Sequence, residues 1–244
     1  MTIEYDGTDF SGWQVQSKRP SVQAELQRSI RAVIHEQVRL IGAGRTDAGV
    51  HALGQVANFT TTAALPVHRF PAALNFHLPE TIRVLDAVEA AADFHARYAA
   101  RGRTYRYVFL NRLAPSAILR RHAWHVPAPL DVDAMRRAAG ALIGRHAFTA
   151  FRAVGSGERT TVCDLRLADV VRTDDMVILT FEADRFLRHM VRLITGTLAA
   201  VGRGKMPEEN VARILAAEDN RRAGPRAPAR GLFLVRVDYQ SAIR

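Results

Sequence analysis

The chain has 244 residues, enough for one large domain or two small ones, and its 48% hydrophobic and 24% charged residues are the balance of an ordinary soluble globular protein. Its 34 basic residues exceed its 24 acidic ones, for a net charge of +10, which favours a polyanionic partner. No apolar run approaches a membrane span, residues 1–7 do not read as a secretory leader, and the single cysteine, Cys163, excludes an internal disulfide or a cysteine zinc cluster and suits a reduced, cytoplasmic setting.

Residues 2–6, T-I-E-Y-D, read as a short strand stopped by the turn pair Asp6-Gly7. Ser21 is a candidate N-cap for an amphipathic helix over 22–36, in which Val22, Leu26, Ile30, Val33 and Ile34 recur at helical spacing. Gln55–Thr60 and Ile82–Val88 read as strands; Pro66, Pro71 and Pro79 mark an irregular connection with room for one short helix. Tyr105–Leu110 is a β-rich segment. Asp131–Ile143 reads as a helix with acidic residues in its first turn, where the helix dipole favours them. Val162–Val171 and Met176–Ala183 form a hairpin. Phe186–Val201 is a strong helix, another runs from Pro207 to about Ala217, and Leu232–Tyr239 closes the chain as a strand. Each half runs strand, helix, further strands. The expected fold is α+β with a mostly antiparallel sheet, divided into an N-terminal half, 1–97, and a C-terminal half, 98–244.

The densest chemistry lies in G-A-G-R-T-D-A-G-V-H, residues 42–51. It is neither a dinucleotide fingerprint nor a phosphate loop, because Asp47 stands where the third Gly would be and no G-K-[ST] follows. Asp47 is a carboxylate on a backbone made pliable by Gly42, Gly44 and Gly49, and Arg45 is a cation able to hold it ionised. An ionised carboxylate in a cleft is a nucleophile or a base. Equally, Asp47 of such a turn can cap neighbouring amides.

The motif resembles the signature of the tRNA pseudouridine synthase A family, A-G-R-T-D-A-G-V-H-A, which residues 43–52 match at every position. E-Y-D-G with F-S-G-W-Q (4–7, 10–14), S-V-Q-A-E-L (21–26), F-H-A-R-Y-A-A-R-G-R-T-Y-R-Y (94–107), F-T-A-F-R (148–152), F-L-R-H-M-V-R (186–192) and G-L-F-L-V-R-V-D-Y (231–239) are similar to its other blocks, so the likeness spans essentially the whole chain. Two departures stand out. The family's first strand starts several residues earlier, and the loop 223–229 carries Arg226 where the family usually has Thr.

The resemblance implies an isomerase, without cofactor or metal, that converts uridine to pseudouridine at positions 38–40 of the tRNA anticodon stem-loop after flipping the base. It implies a homodimer, and two similar halves sharing one extended sheet with helices on one face and the active cleft between the halves. Asp47 is then the essential catalytic carboxylate. Arg45 fills the gap left by the flipped base. Tyr105 stacks on the uracil and assists proton removal, and Leu232 packs against it. Alternation alone puts Tyr105 and Tyr107 on one face of their strand and does not choose between them.

Lys18 and Lys205 are the two lysines among the 34 basic residues, leaving 32 arginines, whose planar fork suits phosphate and base stacking. Arg185, Arg188 and Arg192, spaced by three and four, read as a basic helix stripe that either tracks RNA or is simply solvated. Arg152 opens a Gly-containing loop, 152–160, that is either a mobile element closing on RNA or a plain connection. Asn220–Arg230 reads as the least structured segment, a loop facing an anion or solvent. His51 and His189 lack metal-ligand spacing, and Cys163 reads as a buried apolar side chain. Two rival functions are a non-catalytic RNA-binding protein of the same fold and a metal-dependent hydrolase using Asp47 and His51.

Overall fold

The computed structural model describes residues 1–157 and 160–240. In chain order the elements are β1 (Thr2–Tyr5), α1 (Val22–Ile34), β2 (Ile41–Gly42), β3 (His51–Asn58), α2 (Phe70–His77), β4 (Ile82–Asp86), β5 (Ala100–Leu110), β6 (Trp124–His125), α3 (Val132–Gly140), β7 (Gly144–Ala147), β8 (Val162–Thr173), β9 (Met176–Ala183), α4 (Met190–Gly202), α5 (Asn210–Ala217) and β10 (Leu232–Tyr239). The fold is α+β. The chain forms two compact units, one comprising Met1–Arg101 with the C-terminal residues from Phe233, the other Gly102–Leu232. The division therefore falls after residue 101 rather than 97. The last strand, expected in the second half, belongs to the first, because Phe233 and Leu234 pair with His51 and Ala52 in a parallel ladder.

In the first unit, β1 lies between β3 and β4 and is antiparallel to both; β2 pairs with β3, and β10 runs parallel to β3. Ile3 and Tyr5 on β1 are buried while Glu4 between them is exposed, the period-two pattern of a strand with one covered face. Ser21, in extended backbone, accepts a hydrogen bond from the Ala24 N–H and starts α1, whose Val22, Leu26 and Ile30 are fully buried. The helix ends at His35 in the left-handed conformation.

In the second unit, β5, β9, β8 and β7 follow one another in antiparallel order, and β6 pairs parallel with β5. Helix α3, capped by Asp131 accepting from the Ala134 N–H at 2.9 Å, packs on β8 and against α4 and α5. Tyr107, Phe109, Phe148, Phe151, Phe181, Met135 and Leu198 fill the core, and Cys163 is wholly buried with them. The four expected helices are all shorter than the sequence suggests, α3 and α4 for a visible backbone reason. Helix α3 stops at Gly140, and Gly144, with φ of 112°, turns the chain into β7. Helix α4 starts at Met190, not Phe186, because His189 takes φ of 65° and breaks the helical path before it. No helix among the described residues is long and apolar enough to cross a membrane.

Candidate active site

The turn 43–50 links β2 to β3, and its backbone is held at both ends. The Ala43 N–H donates to the Val56 carbonyl at 2.7 Å, and the Val50 N–H to the Asp47 carbonyl at 3.2 Å. The Gln55 side-chain amide, fully buried, donates to the Gly44 carbonyl at 3.0 Å. The segment after β1 clamps the middle. The Trp13 N–H donates to the Thr46 carbonyl at 3.1 Å, the Phe10 carbonyl accepts from the Gly49 N–H at 3.3 Å, and the Tyr5 hydroxyl lies 2.7 Å from Thr46 Oγ1.

Gly42 of the motif and Gly12 outside it let other chain segments reach this turn. A Cβ on Gly42 would meet the Trp13 indole at 2.6 Å. Gly49 has φ of 75°, which only glycine adopts without strain. Gly12 has φ of 98°, and a Cβ there would meet the Thr46 carbonyl oxygen at 2.5 Å. The expected pliable loop is thus a clamped one. Along R-T-D, Arg45 is exposed, Thr46 is 7% exposed and Asp47 is half-buried, so a guanidinium and a carboxylate flank a buried anchor. His51 starts β3. It is buried and stacked on Phe233 with ring centroids 4.7 Å apart; its Nδ1 accepts from the Gly7 N–H at 3.1 Å and lies 3.1 Å from the Asp6 carboxylate.

In the second unit, β5 presents its two tyrosines differently. Tyr105 is half-buried, with Phe186 edge-on to its ring at 5.0 Å. Tyr107 is fully buried, and its hydroxyl donates to the Pro228 carbonyl at 2.8 Å; burial pushes its phenol far above the ordinary tyrosine range, so it stays protonated. Tyr105 is therefore the tyrosine with ring surface left for a ligand. Leu232, at the start of β10, is 5% exposed.

The chain matches the family model described as tRNA pseudouridine synthase over residues 1–99 and 138–240. It is 46% identical over 241 residues to "tRNA pseudouridine synthase A" of Moorella thermoacetica, covering 98% of each chain, and 44% identical over 239 residues to the protein of that name from Thermoanaerobacter sp. (strain X514), again covering 98% of each. The protein of that name from Myxococcus xanthus is 46% identical over 241 residues, 98% of this chain and 91% of that one. The chain belongs to the tRNA pseudouridine synthase family. The matched residues include Arg45, Asp47 and Leu232 but not Tyr105, which lies in the gap between the two matched segments.

The basic residues require a correction. Arg185 and Arg188 precede α4 rather than riding on it. The Arg185 guanidinium donates to the Thr160 carbonyl at 3.0 Å, and Arg188 is exposed. Arg192 is only 9% exposed, and its Nε donates to the Ala227 carbonyl at 2.8 Å while its own carbonyl accepts from the Ala227 N–H at 3.0 Å. The three do not form an exposed helix stripe, and Arg192 is a strut inside the unit. What it braces is the segment 220–230, which is docked rather than loose: the Gly224 N–H donates to Thr197 Oγ1 at 2.8 Å, and a Cβ on Gly196 would collide with the Pro225 carbonyl. Arg226 stays exposed, 2.9 Å from His189 Nδ1. Arg152 is half-buried, and its carbonyl accepts from the Asn220 side chain at 2.7 Å. The loop it opens includes residues 158–159, which lie outside the described residues.

Sequence reasoning missed Tyr5, Gly12, Trp13, Thr46 and Gln55 as the supports of the turn. The signal for Tyr5, Gly12, Trp13 and Thr46 was membership of blocks similar to the family's, and Gln55 lies in none of them. No spacing rule reveals a hydrogen bond between residues 41 positions apart.

Proposed function

We propose that this chain isomerises uridine to pseudouridine at positions 38–40 of the tRNA anticodon stem-loop, with Asp47 as the essential carboxylate and the target base flipped out of its stack. The coarser activity, conversion of uridine to pseudouridine in tRNA, follows from membership of the family. The observation that carries the finer reading is the turn 43–50, where a half-exposed carboxylate sits two residues from an exposed guanidinium on a backbone fixed from beneath.

The reaction breaks the N1–C1′ glycosidic bond, turns the uracil and joins C1′ to C5. The C5 proton leaves and N1 ends protonated, so nothing is oxidised or reduced. A uridine in a stem is shielded by stacking, so the reading includes extrusion of the base before Asp47 acts. Arg45 occupies the vacated space, Tyr105 stacks on the uracil and assists removal of the C5 proton, and Leu232 contacts the ring. Arg152, Arg185 and Arg188 contact the RNA backbone, adding affinity without sequence choice. Two copies of the chain act as a homodimer in the cytoplasm.

The test is an unmodified tRNA transcript incubated with the protein, with pseudouridine mapped by carbodiimide treatment and primer extension, with and without EDTA. New stops at 38–40 unaffected by EDTA are expected, and Asp47→Ala is expected to abolish them while still binding the transcript. Binding without any stop would favour the non-catalytic RNA-binding reading, and loss on chelation would favour a metal-dependent enzyme.

A further inference from the structure

We infer that Thr46 and Tyr5 are positioning residues that set the geometry of Arg45 and Asp47. The inference rests on Asp47 being the catalytic carboxylate. Arg45 and Asp47 stand either side of one residue, so whatever fixes that residue fixes the backbone from which both side chains leave. Thr46 is that residue. It is 7% exposed between an exposed and a half-exposed neighbour, and it is held at two separate atoms. Its carbonyl accepts from the Trp13 N–H at 3.1 Å. Its Oγ1 lies 2.7 Å from the hydroxyl of Tyr5, which is 2% exposed and fixed on β1 between β3 and β4.

Backbone bonds alone leave a turn some freedom to rock about its own axis. The carbonyl contact fixes one point, and the hydroxyl pair fixes a second on the side chain, which stops the rocking. The Trp13 ring lies 6.2 Å from the Tyr5 ring and covers Gly42, so the phenol cannot swing aside without disturbing the start of the turn. A hydrogen bond between two buried hydroxyls also has no water to replace it when one is removed. Misplacing a catalytic group by about 1 Å costs on the order of 100-fold in rate without weakening substrate binding to the same degree.

The experiment compares Thr46→Val, which keeps the shape and removes the hydroxyl, with Thr46→Ser, Tyr5→Phe and the Thr46→Val/Tyr5→Phe double variant. For each, the single-turnover rate of pseudouridine formation, the dissociation constant for the tRNA transcript and the melting temperature are measured. Thr46→Val and Tyr5→Phe are expected to slow turnover by about 10-fold to 100-fold with binding unchanged within about twofold. Thr46→Ser is expected to recover most of the rate. The double variant should be no slower than the slower single one, because both remove the same bond. Asp47→Ala runs in parallel. If Asp47→Ala is inactive while Thr46→Val turns over normally, the positioning role is overturned. It is equally overturned if Thr46→Val loses binding and rate together and Ser does not rescue it. If Asp47→Ala itself turns over, the assignment of Asp47 fails instead.

Discussion

Tyr105 and Tyr107 share one strand, one side of the pleat and one residue type, and only their surroundings separate them. The phenol of Tyr107 is enclosed and bonded to Pro228, whereas Tyr105 keeps part of its ring open beside Phe186. Phenylalanine at each position should therefore act in opposite ways. Tyr105→Phe is expected to leave the melting temperature unchanged and to slow pseudouridine formation. Tyr107→Phe is expected to lower stability by about 1 kcal/mol through loss of the Pro228 bond, with activity of the folded fraction retained. Alkaline pH adds a second check. Tyr107 has a folded-state pKa above its unfolded value of about 10, so its stabilisation is whole below about pH 10 and is lost as pH rises beyond it. Melting curves from pH 9 to 11 should fall less steeply for Tyr107→Phe than for the parent chain. At this scale the motif 42–51 is legible because Arg45 and Asp47, on which the proposed chemistry rests, stand two residues apart in one short string. The supports at Tyr5, Trp13 and Gln55 were illegible because a side chain's distant partner leaves no trace in local spacing.

Among the elements, the turn 43–50 depends on the segment packed against it, and Gly12 is one of its close approaches. Gly12→Ala would force a Cβ into left-handed backbone, at a cost of roughly 1–2 kcal/mol, and into the Thr46 carbonyl. It is expected to lower the melting temperature and to slow turnover more than a comparably destabilising change in the other unit, such as Asp131→Ala at the α3 cap, which costs about 1 kcal/mol and should leave turnover intact. Single-turnover rates normalised to the folded fraction decide between them. Strong periodicity made Met176–Ala183 and Leu232–Tyr239 legible to the residue. The short strands Ile41–Gly42, Trp124–His125 and Gly144–Ala147 carry too few residues for any pattern and exist because a neighbouring strand offers them a ladder. The start of α4 was misread for a different reason. Phe186–His189 has ordinary helical composition, but the Arg188 carbonyl accepts from the Ala153 N–H and His189 takes left-handed backbone.

For the whole molecule, the charge of +10 makes RNA binding a salt-dependent quantity. Affinity for the tRNA transcript is expected to fall linearly with log salt concentration. Arg188→Ala should reduce the slope by about one unit, the signature of a lost phosphate contact. Arg192→Met should leave the slope unchanged and lower the melting temperature instead, because its guanidinium braces the segment 220–230. Filter binding at several salt concentrations, paired with thermal melts, separates the two arginines, which sequence spacing had placed in one group. The return of β10 to the first unit carries a consequence for synthesis. The strand that flanks β3, immediately after the turn bearing Asp47, is made only after the whole second unit has followed the rest of the first. Until β10 is made, the first unit holds an incomplete sheet with an open edge. A chain stopped after residue 230 is expected to stay bound to chaperones or to aggregate, even though every residue of the signature motif is present.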